Sequence, residues 1–293
     1  GFVAYPTSQP CDEESFIDKR NHSCRPCDSI SNSKQYILFM KKILVIVPFP
    51  MSKENLLSRQ AQLKSVEISE GFEFIFRPVK AAPKNYVSQS DMVLADVGIL
   101  EAGLDAEKEG FSAVCIDTMS DSGVSALRSV LSIPVIGPGR TSMLTAMSLG
   151  SKFSIITMWE KWFHLYEKTI NDLGINSSLA SIRSIDVTPD NQALLDGKEE
   201  EIFPLLEIAA NKAIEHDKAE VIILGSTTMH QAHSFLSSRL PVPIINPGPL
   251  TYKKAEMLLS SNLSHSRKAY PTSPADKSSM FKAMLKTASS FKH

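Results

Sequence analysis

Val221–Ile222–Ile223–Leu224–Gly225–Ser226 is an apolar run that ends on a hydroxyl. Val242–Pro243–Ile244–Ile245–Asn246–Pro247–Gly248 follows it after a helix-like segment. The chain has already stated this unit once. Ala113–Val114–Cys115–Ile116–Asp117–Thr118 ends on a hydroxyl and leads to Ile133–Pro134–Val135–Ile136–Gly137–Pro138–Gly139. Thr118 and Ser226 hold equivalent places, and their spacing to the next strand's proline differs by one residue. A duplicated strand–helix–strand unit follows, with its two copies facing a shared cleft.

Strands and helices alternate outward from this unit. The expected strands are Ile43–Val47, Phe72–Phe76, the run ending at Thr118, Pro134–Ile136, Phe153–Ile156, Ile182–Val187, the run ending at Ser226 and Val242–Ile245. Helices are expected after Ser52, from Asp91 to Glu109, from Ser122 or Gly123 to Leu131, and from a Thr141 or Ser142 cap to Leu149. Trp159–Leu173, Glu199–Ile214, a helix capped by Thr251 and the short Ser278–Leu285 complete the set. Apolar, β-branched strands between helices mean α/β architecture with parallel sheets covered on both faces. Ligands bind such sheets beyond the carboxyl ends of the strands, where Thr118 and Ser226 lie.

Composition narrows the function. The 293 residues are 43% hydrophobic and 22% charged, with a net charge of −1, the balance of a globular chain. That charge gives no attraction to nucleic acid or an anionic membrane, and no apolar run is long enough to span a bilayer. Residues 1–39 are polar and aperiodic. They read as a disordered or non-native extension, with Met40 as the natural start. Cys24–x–x–Cys27, with Cys11 and His22 nearby, sketches a zinc site there, against an incidental tail. Cys115, mid-strand, is expected to be buried and inert. One core cysteine fits a reducing compartment, the cytoplasm.

Thr118–Met119–Ser120–Asp121 and Ser226–Thr227–Thr228 join a strand to a helix. Such turns either cap the helix or cradle a carboxylate or enolate with hydroxyls and backbone N–H groups. Gly137–Pro138–Gly139 and Pro247–Gly248–Pro249 read as turns, and no nucleotide-binding glycine pattern is present. His230 and His233 sit three apart without the carboxylate pattern of a metal helix, so no metal is expected.

These motifs together resemble the aspartate/glutamate racemase superfamily, most closely its hydantoin racemase branch. The likeness rests on Glu109–Gly110–Phe111–Ser112–Ala113–Val114, Ser120–Asp121–Ser122–Gly123–Val124, Gly150–Ser151–Lys152–Phe153, Leu224–Gly225–Ser226 with Met229, and Ala269–Tyr270–Pro271. It implies two similar Rossmann-like domains related by a pseudo-twofold axis, over 40–137 with 247–293 and over 138–246. It also implies chemistry without cofactor or metal, in which a cysteine from each domain moves a proton on one face of an acidic carbon. Here Thr118 and Ser226 occupy those two positions. The polar turn after the first strand is replaced by Val47–Pro48–Phe49–Pro50, which adds an aromatic wall.

The resemblance therefore implies a racemase-like enzyme for a small amino-acid derivative, with a decarboxylase or lyase of a malonate-type acid and a non-catalytic anion-binding relative as alternatives. Thr118 and Ser226 would flank the reacting carbon, with Asp121 or His230 as activating groups and Asp117 as a further candidate. Phe49, Met119, Ser120, Thr157, Thr227 and Thr228 would contact the substrate. The expected partners are a small anionic molecule and further copies of the chain.

Overall fold

Lys41–Val47 (β1) is buried from Ile43 onward and lies inside the first sheet. The structure, a computed structural model, describes residues 40–189 and 198–291. The proposed extension and its cysteine and histidine cluster fall outside the described residues. After β1 come α1 (Lys53–Ala61), a 3-10 turn (Gln62–Ser65), β2 (Phe72–Pro78) and α2 (Gln89–Gly103). β3 (Ala113–Ile116), α3 (Val124–Val130), β4 (Val135–Ile136) and α4 (Pro138–Leu149) follow. The second half carries β5 (Phe153–Thr157), α5 (Phe163–Leu173), β6 (Leu179–Ser184), α6 (Phe203–Glu215), β7 (Val221–Leu224), α7 (Ala232–Ser237), β8 (Ile244–Ile245), α8 (Pro247–Ser260) and α9 (Ser278–Ala288).

The strands form two four-stranded parallel sheets, ordered β2-β1-β3-β4 and β6-β5-β7-β8. The second order repeats the first, so the duplicated unit supplies the third and fourth strands of each sheet. Alternation sorts the side chains between two faces. Leu44, Ile46, Val114 and Ile116 join one core, while Ile43, Val45, Ala113 and Cys115 join the other. In the second sheet Ile222 and Leu224 face one core and Val221 and Ile223 the opposite one.

The helix after each fourth strand packs on the other sheet. Met143 and Ala146 of α4 share a core with Phe153 and Ile155, whereas Tyr252 and Ala255 of α8 share one with Val45 and Cys115. This exchange brings the carboxyl ends of β1, β3 and β7 around one cavity. Among the described residues no helix is long and apolar enough to cross a membrane.

Several boundaries differ from the sequence expectation. α2 ends at Gly103 rather than Glu109, and residues 104–110 are turns. A Cβ on Gly103 would sit 2.7 Å from Leu127 Cδ2, so this end of α2 lies hard against α3. α4 and α8 begin at Pro138 and Pro247, so the two proline-glycine segments are first helical turns and not free turns. Proline suits the first helical position because its ring presets φ and the missing N–H has no partner to lose there. Thr141 and Thr251 are not caps: each hydroxyl donates back to the carbonyl four residues earlier, at 2.7 Å.

β6 spans Leu179–Ser184, three residues ahead of expectation. Its outer position spares it a continuous apolar run. Ser181 and Arg183 instead hydrogen-bond Asp217. The expected helix from Trp159 starts with a 3-10 turn over Glu160–Trp162 and becomes α-helical at Phe163.

Candidate active site between the two sheets

Thr118 and Ser226 line the same cavity, one from the turn after β3 and one from the turn after β7. The hydroxyl pattern is duplicated too. Thr118 Oγ1 lies 3.2 Å from Ser120 Oγ, and Ser226 Oγ lies 2.8 Å from Thr228 Oγ1. Ser226 Oγ also accepts the Thr228 N–H, so this residue is a cap as well as a wall. Thr227 ties the halves together: its hydroxyl donates to the Asp117 carbonyl at 3.2 Å. The cavity measures about 70 Å³, room for one small molecule or a few waters.

The wall is mostly apolar. Phe49, Met119, Thr227 and Thr228 reach it as expected. Phe49 stacks on Tyr86 with ring centroids 5.4 Å apart, and the Tyr86 hydroxyl donates to Pro48 O. α5 adds Leu165 and Tyr166, with Trp162 just before it. Tyr166, fully buried, sits 2.7 Å from Thr157 Oγ1 and donates to Gly225 O at 2.7 Å. Burial pushes both the Tyr86 and Tyr166 phenols up, so neither is an acid near neutral pH.

Four expected site residues, Ser120, Thr157, His230 and Asp121, do not line this cavity. Ser120 is fully buried behind Thr118, bonded to Ser122 Oγ at 2.9 Å. Thr157 is buried behind Tyr166 and orients its hydroxyl. A strand-end hydroxyl reads the same in sequence whether it faces the cavity or the wall's reverse. His230 borders a neighbouring cavity with Asn246, not the one shared by Thr118 and Ser226. Burial, then the Arg59 guanidinium, hold its imidazole below the usual range. His233 faces that second cavity as well, with Nε2 3.1 Å from Ile244 O. Among the described residues no group of three or more His, Cys, Asp or Glu side chains gathers as metal ligands would.

Asp121 is engaged at the start of a helix. It adopts the left-handed conformation at φ 52° and accepts the N–H groups of Gly139 and Arg140, both at 2.7 Å. Those donors open α4, whose positive end favours a carboxylate. Burial outweighs the donors and raises the Asp121 carboxyl to about 6. The folded value then exceeds the unfolded one of about 3.9, so protonation favours the fold. Asp121's contribution is full below about pH 4 and is lost as pH rises through about 6. Asp121→Asn is expected to flatten that fall, read as denaturation midpoints between pH 4 and 6.5.

The wall's charges were not foreseen as a pair. Arg59 Nε and Nη2 donate to the two Asp117 oxygens at 2.7 and 2.6 Å, and each side chain is 3% exposed. Arg59 comes from α1, where it is the one buried residue. Asp117 precedes Thr118, so the pair abuts the first hydroxyl turn. Cys115 is fully buried, and burial followed by the Asp117 charge pushes its thiol up.

Paired parallel sheets with matching turns at one cavity define a duplicated α/β protein. The model of the Asp/Glu/hydantoin racemase family matches residues 50–255, and the chain belongs to that family. It is similar to hydantoin racemase of Rhizobium meliloti, 30% identical over 192 residues that cover 64% of this chain and 78% of the relative. It is also similar to hydantoin racemase of Pseudomonas sp. (strain NS671), 28% identical over 180 residues that cover 61% and 71%. Allantoin racemase from Klebsiella pneumoniae shares the fold at a TM-score of 0.72, with 24% identity over 80% of this chain and 95% of that one.

Proposed function

We propose that the chain is a cofactor-independent isomerase acting on the acidic α-carbon of a small amino-acid derivative of the hydantoin type. One observation carries this reading: Thr118 and Ser226, from the two equivalent turns, line one cavity. A carbonyl seated there would meet the turn hydroxyls where charge grows as the carbon loses its proton, an arrangement that stabilises an enolate. The anion to be held is then the enolate, not the arriving molecule. Of the candidate activating groups Asp117 lines this cavity and Asp121 and His230 do not; a turn hydroxyl that takes the α-proton would pass its own proton to the Asp117 carboxylate.

A second reading is decarboxylation of a malonate-type acid, which needs a proton donor but no base. In its favour, the hydrogen-bond partners of Thr118 and Ser226 are other hydroxyls and, for Ser226, the Thr228 N–H.

Proton NMR in deuterated water tests the proposal. With benzylhydantoin the α-hydrogen signal is expected to fade faster with the protein than without, with no added cofactor. Carbon dioxide release from phenylmalonate without exchange in benzylhydantoin supports the second reading. Binding with neither outcome leaves a ligand-binding relative and refutes both.

A further inference from the structure

A second cavity, of about 570 Å³, adjoins the segment that carries Ser226. Ser226, Thr227 and Thr228 line the first cavity, and His230, two residues on, lines the second. Its volume falls within the usual range for small-molecule sites, and its wall is mostly apolar, with Val66, Leu149, Ile244 and Leu250. The first half fills the corresponding place with its own carboxylate. There Asp121, three residues after the turn hydroxyl, takes the Gly139 and Arg140 N–H groups at the start of α4. A Cβ on Gly137, the residue before that helix, would fall 2.4 Å from Asp121 Oδ1. In the second half the same count from Ser226 reaches Met229, 1% exposed in the core, and Asn246 stands before α8 as Gly137 does before α4.

The polar groups of this second cavity call for a donor. Asn246 Oδ1 is buried without a hydrogen-bond partner among the described residues, while its amide nitrogen donates to His230 O at 3.4 Å. A buried acceptor left unpaired is costly, so a group that donates to it gains by entering. Asn246 is half-buried, and a small turn of its amide brings Oδ1 to the cavity. His233 Nε2 donates to Ile244 O, which leaves Nδ1 of the neutral ring an acceptor. The Thr145 hydroxyl donates to Thr141 O and keeps its lone pairs for accepting. Charge is unwelcome in either sign: Lys253, 3.0 Å from Glu256, opposes an ammonium, and Glu67 opposes a carboxylate. We propose that this cavity is a second small-molecule site, which takes a neutral N–H donor, a primary amide or ureido group, on an aliphatic chain. It stands apart from the reaction proposed for the first cavity.

Ligand-observed NMR titration at about pH 7 with hexanamide, hexanoate and hexylamine, which share one chain length, tests this. Hexanamide is expected to bind at least about tenfold more tightly than either charged relative. Asn246→Ala should weaken the amide about tenfold, the loss of one buried hydrogen bond. Leu149→Trp, at the exposed last residue of α4, fills the cavity and should weaken it by about tenfold or more. If Asn246→Ala does not fold, Leu149→Trp decides. No binding of hexanamide up to about 10 mM, equal binding of all three probes, or binding that neither variant weakens overturns the second site. Hexanamide binding that both variants weaken, in a protein that exchanges no α-hydrogen of benzylhydantoin, sinks the isomerase proposal and leaves this site standing.

Discussion

Arg59→Met is expected to destabilise the protein by about 3–5 kcal/mol, the usual cost of stranding one partner of a buried ion pair. The stranded group would be Asp117, 3% exposed and clamped at both oxygens by Arg59. The loss should exceed that of an ordinary surface change because Arg59 is the one buried residue of α1. Another anchor of α1 is Leu56, half-buried against the core of Ile43, Val45 and Cys115. Chemical denaturation followed by circular dichroism measures the loss. Arg59→Met with Asp117→Leu supplies the contrast: with both charges gone, stability should return to within about 1 kcal/mol of the parent. Should the single variant match the parent, the pair would be an incidental contact and α1 would be held by other means.

Much of this fold is legible in the sequence because burial and period coincide. β3, β7 and β1 from Ile43 onward are runs of apolar residues buried on both faces, and β5 is buried throughout. Their carboxyl ends, and so Thr118 and Ser226, follow directly. Edges and helix starts are harder. β6 pairs on one side only and tolerates Ser181 and Arg183, so its apolar content does not fix its limits. Pro138 and Pro247 signal a turn and a first helical turn equally well, and the backbone chose the second.

The site was legible in its turns and obscure in its walls. Trp162, Leu165 and Tyr166 read as the apolar side of one helix, with no mark of which faces a cavity. Tyr86 lies in a loop without period. Arg59 and Asp117 are 58 residues apart, and α1 is polar enough that one arginine looks like surface. One signal was available. Asp117 ends an otherwise apolar run, and a carboxylate at the end of a buried strand calls for a partner. Asp121 misled for a similar reason: a carboxylate near the first turn looks like a base, and only its left-handed backbone turns it onto the start of α4.

The second large effect concerns the hydroxyls themselves. Thr118 and Ser226 stand where the family resemblance expects a cysteine from each half. A thiol gives up its proton near working pH and a hydroxyl does not, so a thiol can act as base on one face and acid on the other. Thr118→Cys with Ser226→Cys should therefore raise the racemisation rate well above the parent's. Gains from placing an acid and a base run to about a hundredfold or more. Each single change should fall far short of the pair, because inversion needs a proton group on both faces of the carbon.

The decisive measurement is the racemisation rate of one benzylhydantoin enantiomer by the folded double-cysteine variant, followed by polarimetry beside the parent and both single variants. A rate about a hundredfold above the parent, reached when both thiols are present, is the predicted result. A variant that folds and binds the ligand but racemises it no faster than the parent would show that Thr118 and Ser226 do not flank a common carbon.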